Sequence, residues 1–273
     1  MHDDAAQLTE RQRNELAYHR QHALAHEDIV RRPFSFDILD RPGRRWWNAY
    51  WQMYAFLTRQ DLRGKRVLVV GCGFGEDALR LARLGAHVTA FDLSPDALAI
   101  ARRLAEREDL AVDFGQMPAE RLTYADDSFD CIVARDILHH VDIPAAMHEI
   151  RRVARPGALF VVNEIYSHSL TDTIRRSRFV EAFLYPRMQR LIYGPGRPYI
   201  TADERKMSER DIALVRAILP TLELSRHFNF LVTRVLPDTC QWLAMADRLL
   251  LVALRPLAHL CAGRRLLAGR IAK

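Results

Sequence analysis

Val67-Leu68-Val69-Val70-Gly71-Cys72-Gly73-Phe74-Gly75-Glu76 is the stretch on which the fold turns. Four consecutive Val and Leu residues read as a buried strand, and the alternating glycines after them form a turn tight enough to open a helix at once. Such a junction aims backbone N–H groups and a helix N-terminus at a ligand. A dinucleotide fingerprint needs its third glycine at position 76, where this chain has Glu76. A carboxylate there would repel a pyrophosphate, which argues against NAD or FAD.

On the C-terminal side the pattern repeats. Ala78, Leu81 and Ala82 recur at helical spacing up to Gly85, a good helix stop. Residues 87–91 predict a second strand, and Ser94 with Pro95 predicts a capped helix start. Further strands are expected at 111–114, 129–134 and 159–163, with a helix capped by Asp142 before the last of them. Alternating helices and near-continuous apolar strands mean a parallel sheet covered on both faces. Asp92 lies 21 residues after Gly71, at the end of the second strand, where a carboxylate can accept both hydroxyls of a ribose. The competing role is capping the helix near Ser94.

The flanks are less regular. Residues 1–60 read as a helical cap, and 61–166 as the α/β core. Residues 167–220 read as an inserted lid, with one long helix and an irregular stretch around Gly194–Pro198. Residues 221–273 supply a strand at about 226–235, an apolar helix (Leu249, Leu250, Val252, Leu254, Leu257) and a last strand at 264–271. In the cap, Trp47, Tyr50, Trp51 and Tyr54 share one helical face, which either packs on the sheet or walls an apolar substrate.

At 273 residues the chain fits one large domain, or one with a lid, and 49% hydrophobic with 27% charged residues excludes fibrous and wholly disordered classes. Residues 1–159 hold 22 basic and 24 acidic residues, against 18 and 10 in residues 160–273. That C-terminal excess suits an anionic substrate, a membrane surface or nucleic acid, or is simply a solvated arginine-rich surface. The four cysteines form no Cys-x-x-Cys pair, so neither a disulfide framework nor a zinc site is expected and a reducing cytoplasm is. The N-terminus lacks the order of a signal peptide. The longest apolar stretch, 242–260, is broken by Asp247, Arg248, Arg255 and Pro256, so it is not expected to span a membrane.

Five blocks carry a family resemblance: Gly71–Gly75, Asp92-Leu93-Ser94-Pro95, Asp127-Ser128-Phe129-Asp130, Leu138-His139-His140-Val141 and Glu149–Gly157. In this order and separation, over about residues 60–166, the sequence resembles the class I S-adenosylmethionine-dependent methyltransferases, in their small-molecule branch. The resemblance implies a doubly wound, mostly parallel, seven-stranded Rossmann-like sheet with N-terminal helices and a helical lid. It implies S-adenosylmethionine as cofactor, with Gly71, Gly73 and Gly75 in its loop and Asp92 on its ribose. Leu93, Met117 and Ala119 would lie against the adenine, and the backbone of Arg135 beside the methionine portion. Two positions depart from the family pattern. Val69 replaces an acidic residue, leaving the cofactor's amino group to backbone carbonyls, Glu76 or Asp77. Pro118 replaces the reader of the adenine amine, for which Gln116 or Glu120 could substitute.

Methyl transfer from a sulfonium needs an acceptor held in a dry pocket and, for a hydroxyl, a base. His140 is the expected base, unless it only shapes the pocket; Glu164 is the second residue expected at the substrate, unless it caps a loop. His139 is expected to pack inward, and Tyr18 and His19 to fold over the cofactor. The expected reaction is methylation of a small, apolar or aromatic acceptor, on oxygen rather than carbon or nitrogen. The rivals are a nucleic-acid methyltransferase and a non-catalytic cofactor-binding partner subunit. Arg135-Asp136-Ile137-Leu138 stands where base-amine methyltransferases carry an Asn/Asp-Pro-Pro-aromatic block, which tells against the first rival. A homodimer, or a weak hold on a membrane surface through the C-terminal helix, remains open.

Overall fold

The structure is a computed structural model that describes residues 8–184, 186, 205–233 and 240–273. Seven strands form one sheet in the order β3-β2-β1-β4-β5-β7-β6. They are β1 (Arg66–Val70), β2 (His87–Asp92), β3 (Val112–Gln116), β4 (Phe129–Arg135), β5 (Ala154–Ile165), β6 (Thr221–Phe228) and β7 (Arg264–Arg270). β1 to β5 run parallel, while β7 lies antiparallel between β5 and β6. The class I methyltransferase architecture expected from the sequence is the one observed. β6 begins five residues before its expected start and ends near Phe228, because its ladder follows β7 from Thr221 onward.

The helices are α1 (Glu10–Ala25), α2 (Asp37–Asp40), α3 (Ala49–Leu57), α4 (Glu76–Arg83), α5 (Pro95–Arg107), α6 (Ile143–Val153), α7 (Ser169–Arg175), α8 (Glu209–Ala217), α9 (Gln241–Ala253) and α10 (Ala258–Cys261). Ser94 Oγ accepts from Ala97 N at 3.2 Å and Asp142 Oδ1 from Ala145 N at 2.9 Å, so both expected N-caps start their helices. Apolar side chains fill both faces of the sheet. Met53, Leu57 and Leu81 pack on one face, and Ile143, Ile150 and Ile212 on the other. That double covering explains the continuous apolar runs of β1 and β4.

Two expectations about the flanks are corrected. α3 buries Ala49, Met53, Tyr54 and Leu57 against the sheet, whereas Trp46 and Trp47 precede the helix. Asn48 caps it through Tyr50 N and Trp51 N, and that cap sets the start. The single helix expected after Tyr166 is instead α7, a π-helical turn at Val180–Leu184, and later α8; Gly194–Pro198 lie outside the described residues.

Strand order reverses between β1 and β4. Connections leave in opposite directions there and open a crevice at the carboxyl ends of the strands, where α/β sheets bind ligands.

Candidate active site at the sheet switch point

In the glycine loop after β1, Gly71, Gly73 and Gly75 all have left-handed backbone, with φ of 61°, 52° and 84°. Two of them are confined by packing. A Cβ on Gly71 would stand 2.4 Å from Ile137 Cγ1, and one on Gly75 would stand 2.9 Å from Ala101 Cβ. Gly73 faces open space, with nothing within 4 Å of such a Cβ, and lines the crevice. The middle glycine is therefore the one left free for a ligand.

Asp92 holds this loop against β2. Its Oδ2 accepts from Gly73 N at 2.8 Å and its Oδ1 from Ser94 N at 2.9 Å. A carboxylate oxygen accepts two hydrogen bonds, so a lone pair on each remains for a diol. Capping and ligand binding are thus compatible. Leu93, Met117 and Ala119 line the adjoining wall of a cavity of about 280 Å³. Gln116 turns away and donates to Leu93 O, whereas Glu120 lines the cavity and accepts from Asp142 N and Gln12 Nε2.

At the other end of the cavity, Arg135 turns its guanidinium toward α4. Its Nε donates to Asp77 Oδ2 at 2.6 Å and its charge lies 4.6 Å from the centre of the Tyr50 ring. Asp77 also accepts from Tyr54 at 2.7 Å and Tyr50 at 3.0 Å. Burial pushes the Asp77 carboxyl up, but the charge of Arg135, the hydrogen bonds from Arg135 and Tyr54 and the charge of Arg80 together hold it below the usual range. Asp77 is consumed by these bonds and does not reach the cavity. Of the two acidic residues expected near a cofactor amine, only Glu76 lines it, 3.6 Å from both Arg80 and Arg135.

α1 forms the roof. Gln12, Glu15, His19 and His22 all line the cavity. Glu15 Oε1 meets His140 Nδ1 at 3.1 Å and Oε2 lies 3.5 Å from His19 Nε2. Arg11 donates to His139 O, and His22 stacks on Phe74 with ring centres 5.3 Å apart. Burial lowers the His19 pKa, yet the bond to Glu15 and the charge of Asp92 raise it overall. Burial and the neighbouring His26 and His19 lower that of His22. His19 lines the cavity and Tyr18 does not. Gln12, Glu15 and His22 were not foreseen. Their signal was a polar stripe at i, i+3, i+7 and i+10, which reads as solvated surface until something is known to face it.

A family model described as a methyltransferase domain matches residues 68–162. The matched residues run from β1 into β5. A ubiquinone biosynthesis O-methyltransferase from Methylocella silvestris is 36% identical over 121 residues, a match that covers 44% of this chain and 45% of that protein. This chain therefore aligns with less than half the length of that relative. Among solved structures, an S-adenosylmethionine-dependent methyltransferase from Mesorhizobium loti superposes with a TM-score of 0.52 at 20% identity, covering 82% of this chain and 98% of its own. The [4+2]-cyclase SpnF superposes with a TM-score of 0.53 at 23% identity, covering 87% and 80%. These likenesses concern the fold, which by itself does not select a reaction.

Glu164 does not line the cavity, contrary to expectation. It is fully buried and accepts from Ile137 N and Leu138 N, both at 2.7 Å, and from His139 Nδ1 at 2.8 Å. All of its bonding is spent on the turn after β4, which carries Ile137 against Gly71. His139 packs inward as expected. A second cavity of about 250 Å³ adjoins the first and shares Arg135 and Asp136 with it. Asn48, Tyr50, Asn229 and Arg264 complete its polar lining. Asp136 has φ of 54° and pairs with Arg264 at 2.8 Å, and the charges of Arg264 and Arg135 outweigh burial to hold its carboxyl below the usual range. The described residues contain no cluster of metal-ligating side chains.

Proposed function

We propose that this protein transfers the methyl group of S-adenosylmethionine to a hydroxyl of a small-molecule acceptor. The observation that carries this reading is Asp92, with a spare lone pair on each oxygen, beside the open face of Gly73. Asp92 would hold the ribose diol, Leu93, Met117 and Ala119 the adenine face, and Glu120 the adenine amine. Glu76 and the Arg135 backbone would hold the methionine portion. Bound there, the cofactor supplies an electrophilic methyl on a sulfonium. The chain's own task is to orient the acceptor, remove its proton and exclude water.

His140 suits proton removal. With Glu15 as the partner of Nδ1, that nitrogen carries the hydrogen and Nε2 keeps its lone pair. Glu15 then stabilises the imidazolium that forms, as a carboxylate does behind a catalytic histidine. The acceptor's reacting hydroxyl would lie beside His140 in the first cavity, with the rest of the molecule reaching past Arg135 and Asp136 into the second. The polar lining of the second cavity supports an acceptor that carries polar substituents. Oxygen as the methylated atom is supported by this dyad and by the name of the Methylocella relative.

Titration calorimetry with S-adenosylhomocysteine, followed by transfer of labelled methyl into fractionated metabolites, tests the reading. Micromolar or tighter binding is expected, together with label in a small hydroxylated product. His140→Gln should lower transfer by about 10²–10⁴-fold with unchanged binding. Absence of binding refutes the reading. Label in RNA or DNA would assign the site to a nucleic-acid methyltransferase.

A further inference from the structure

Fourteen large apolar side chains are exposed among the described residues, and eleven of them fall in two short stretches, 170–183 and 242–257. In α9 the arrangement is inside out. Ala244, Asp247 and Leu251 face inward, while Trp242 is 80% exposed and Leu249 and Val252 each 60%.

Asp247 locks this rotation. Its carboxylate accepts from Phe230 N and Leu231 N at 2.8 Å, Val232 N at 2.7 Å and Thr233 Oγ1 at 2.6 Å. Turning α9 to bury its leucines would swing Asp247 away and strip three backbone N–H groups of their acceptor. The exposed face is therefore a built feature of the helix.

α7 packs against α10, the short helix that follows α9: Thr171 Oγ1 donates to Leu260 O at 3.0 Å. α7 follows the carboxyl end of β5, and Arg264, in the lining of the second cavity, begins β7 at that same end. The apolar face thus lies at the end of the sheet where the cavities open.

Charge distinguishes among occupants. Arg175, Arg176, Arg178 and Arg255 are exposed along these stretches, against Asp172 and Glu181. A two-fold copy of the chain would bring this positive excess against itself. A surface of anionic headgroups complements it, while Trp242 and the aliphatic side chains enter the headgroup–acyl boundary. No helix among the described residues is long and apolar enough to cross a membrane, so the contact is peripheral.

We propose that α7 and α9 dock this protein on an anionic lipid surface, with the cavity end of the sheet turned toward it. The proposal goes beyond methyl transfer and stands apart from it, since binding is read without cofactor or acceptor. Sedimentation of the full chain with vesicles of phosphatidylcholine, alone or with roughly one third phosphatidylglycerol, tests it. Retention at least about tenfold stronger on the anionic vesicles is expected, weakening as salt rises. The pair Leu249→Glu with Val252→Glu and the pair Arg175→Glu with Arg176→Glu should each lose that retention. Leu24→Glu, at an exposed leucine on α1, should keep it, and circular dichroism checks that each variant is folded. Absence of retention on the anionic vesicles overturns the proposal, as does retention unchanged by both pairs. A parent dimer in light scattering that the Leu249/Val252 pair converts to monomer would assign the face to a second copy and equally overturn it.

Discussion

Glu15 and His140, separated by 125 positions in the chain, meet at 3.1 Å across the mouth of the cavity. One belongs to the N-terminal helix and the other to the turn after β4, so the contact exists only when α1 lies over the site. Glu15 also faces His19 on its own helix, so one carboxylate joins two histidines across the roof.

That network gives a pH dependence with a definite sign. The folded-state pKa of His19 is raised, so its contribution to stability is fully present below about 6.5 and fades as pH rises through the raised value. Titration of His19 by NMR should give a midpoint above 6.5. In Glu15→Gln the burial that opposes protonation remains while its main counterweight is gone, so the midpoint should fall to 6.5 or lower. A midpoint unmoved by that substitution would show that Glu15 does not govern His19.

Asp92→Ala should weaken S-adenosylhomocysteine binding at least about tenfold, the worth of one or two charge-assisted hydrogen bonds. It should also lower thermal stability, because Gly73 N and Ser94 N lose their acceptor. Calorimetry read beside a melting curve separates the two effects. Unchanged affinity in a folded variant would place the ribose elsewhere.

Gly71→Ala and Gly73→Ala should differ although both glycines are left-handed. At Gly73 the cost is the backbone penalty of about 1–2 kcal/mol, and its new methyl enters the cavity, so ligand affinity should suffer more than stability. At Gly71 the methyl also collides with Ile137. Denaturant unfolding should show a larger loss there, partly restored by Ile137→Ala in the same chain.

Glu164→Ala should act as a fold mutation. Leaving Ile137 N, Leu138 N and His139 Nδ1 without their buried acceptor should cost about 3 kcal/mol or more. Unfolding midpoints would register this directly. A variant of full stability that had lost only turnover would return Glu164 to the reacting atoms.

The sequence alone determined the sheet, the glycine loop, Asp92 and the helix caps at Ser94 and Asp142, because each rests on short-range physics. Period-two and period-3.6 burial, left-handed glycines and side-chain caps are all written within a few residues. Tertiary structure decided which carboxylates reach the cavity. Asp77 and Glu164 looked available until Arg135, two tyrosines and the turn after β4 closed on them, while Glu15 looked like helix surface until α1 was placed over His140. The outward face of α9 belongs to the same class, since its rotation is set by Asp247 reaching a loop that begins at Phe230. Such outcomes turn on partners far apart in the chain, whose desolvation and pairing no local pattern encodes.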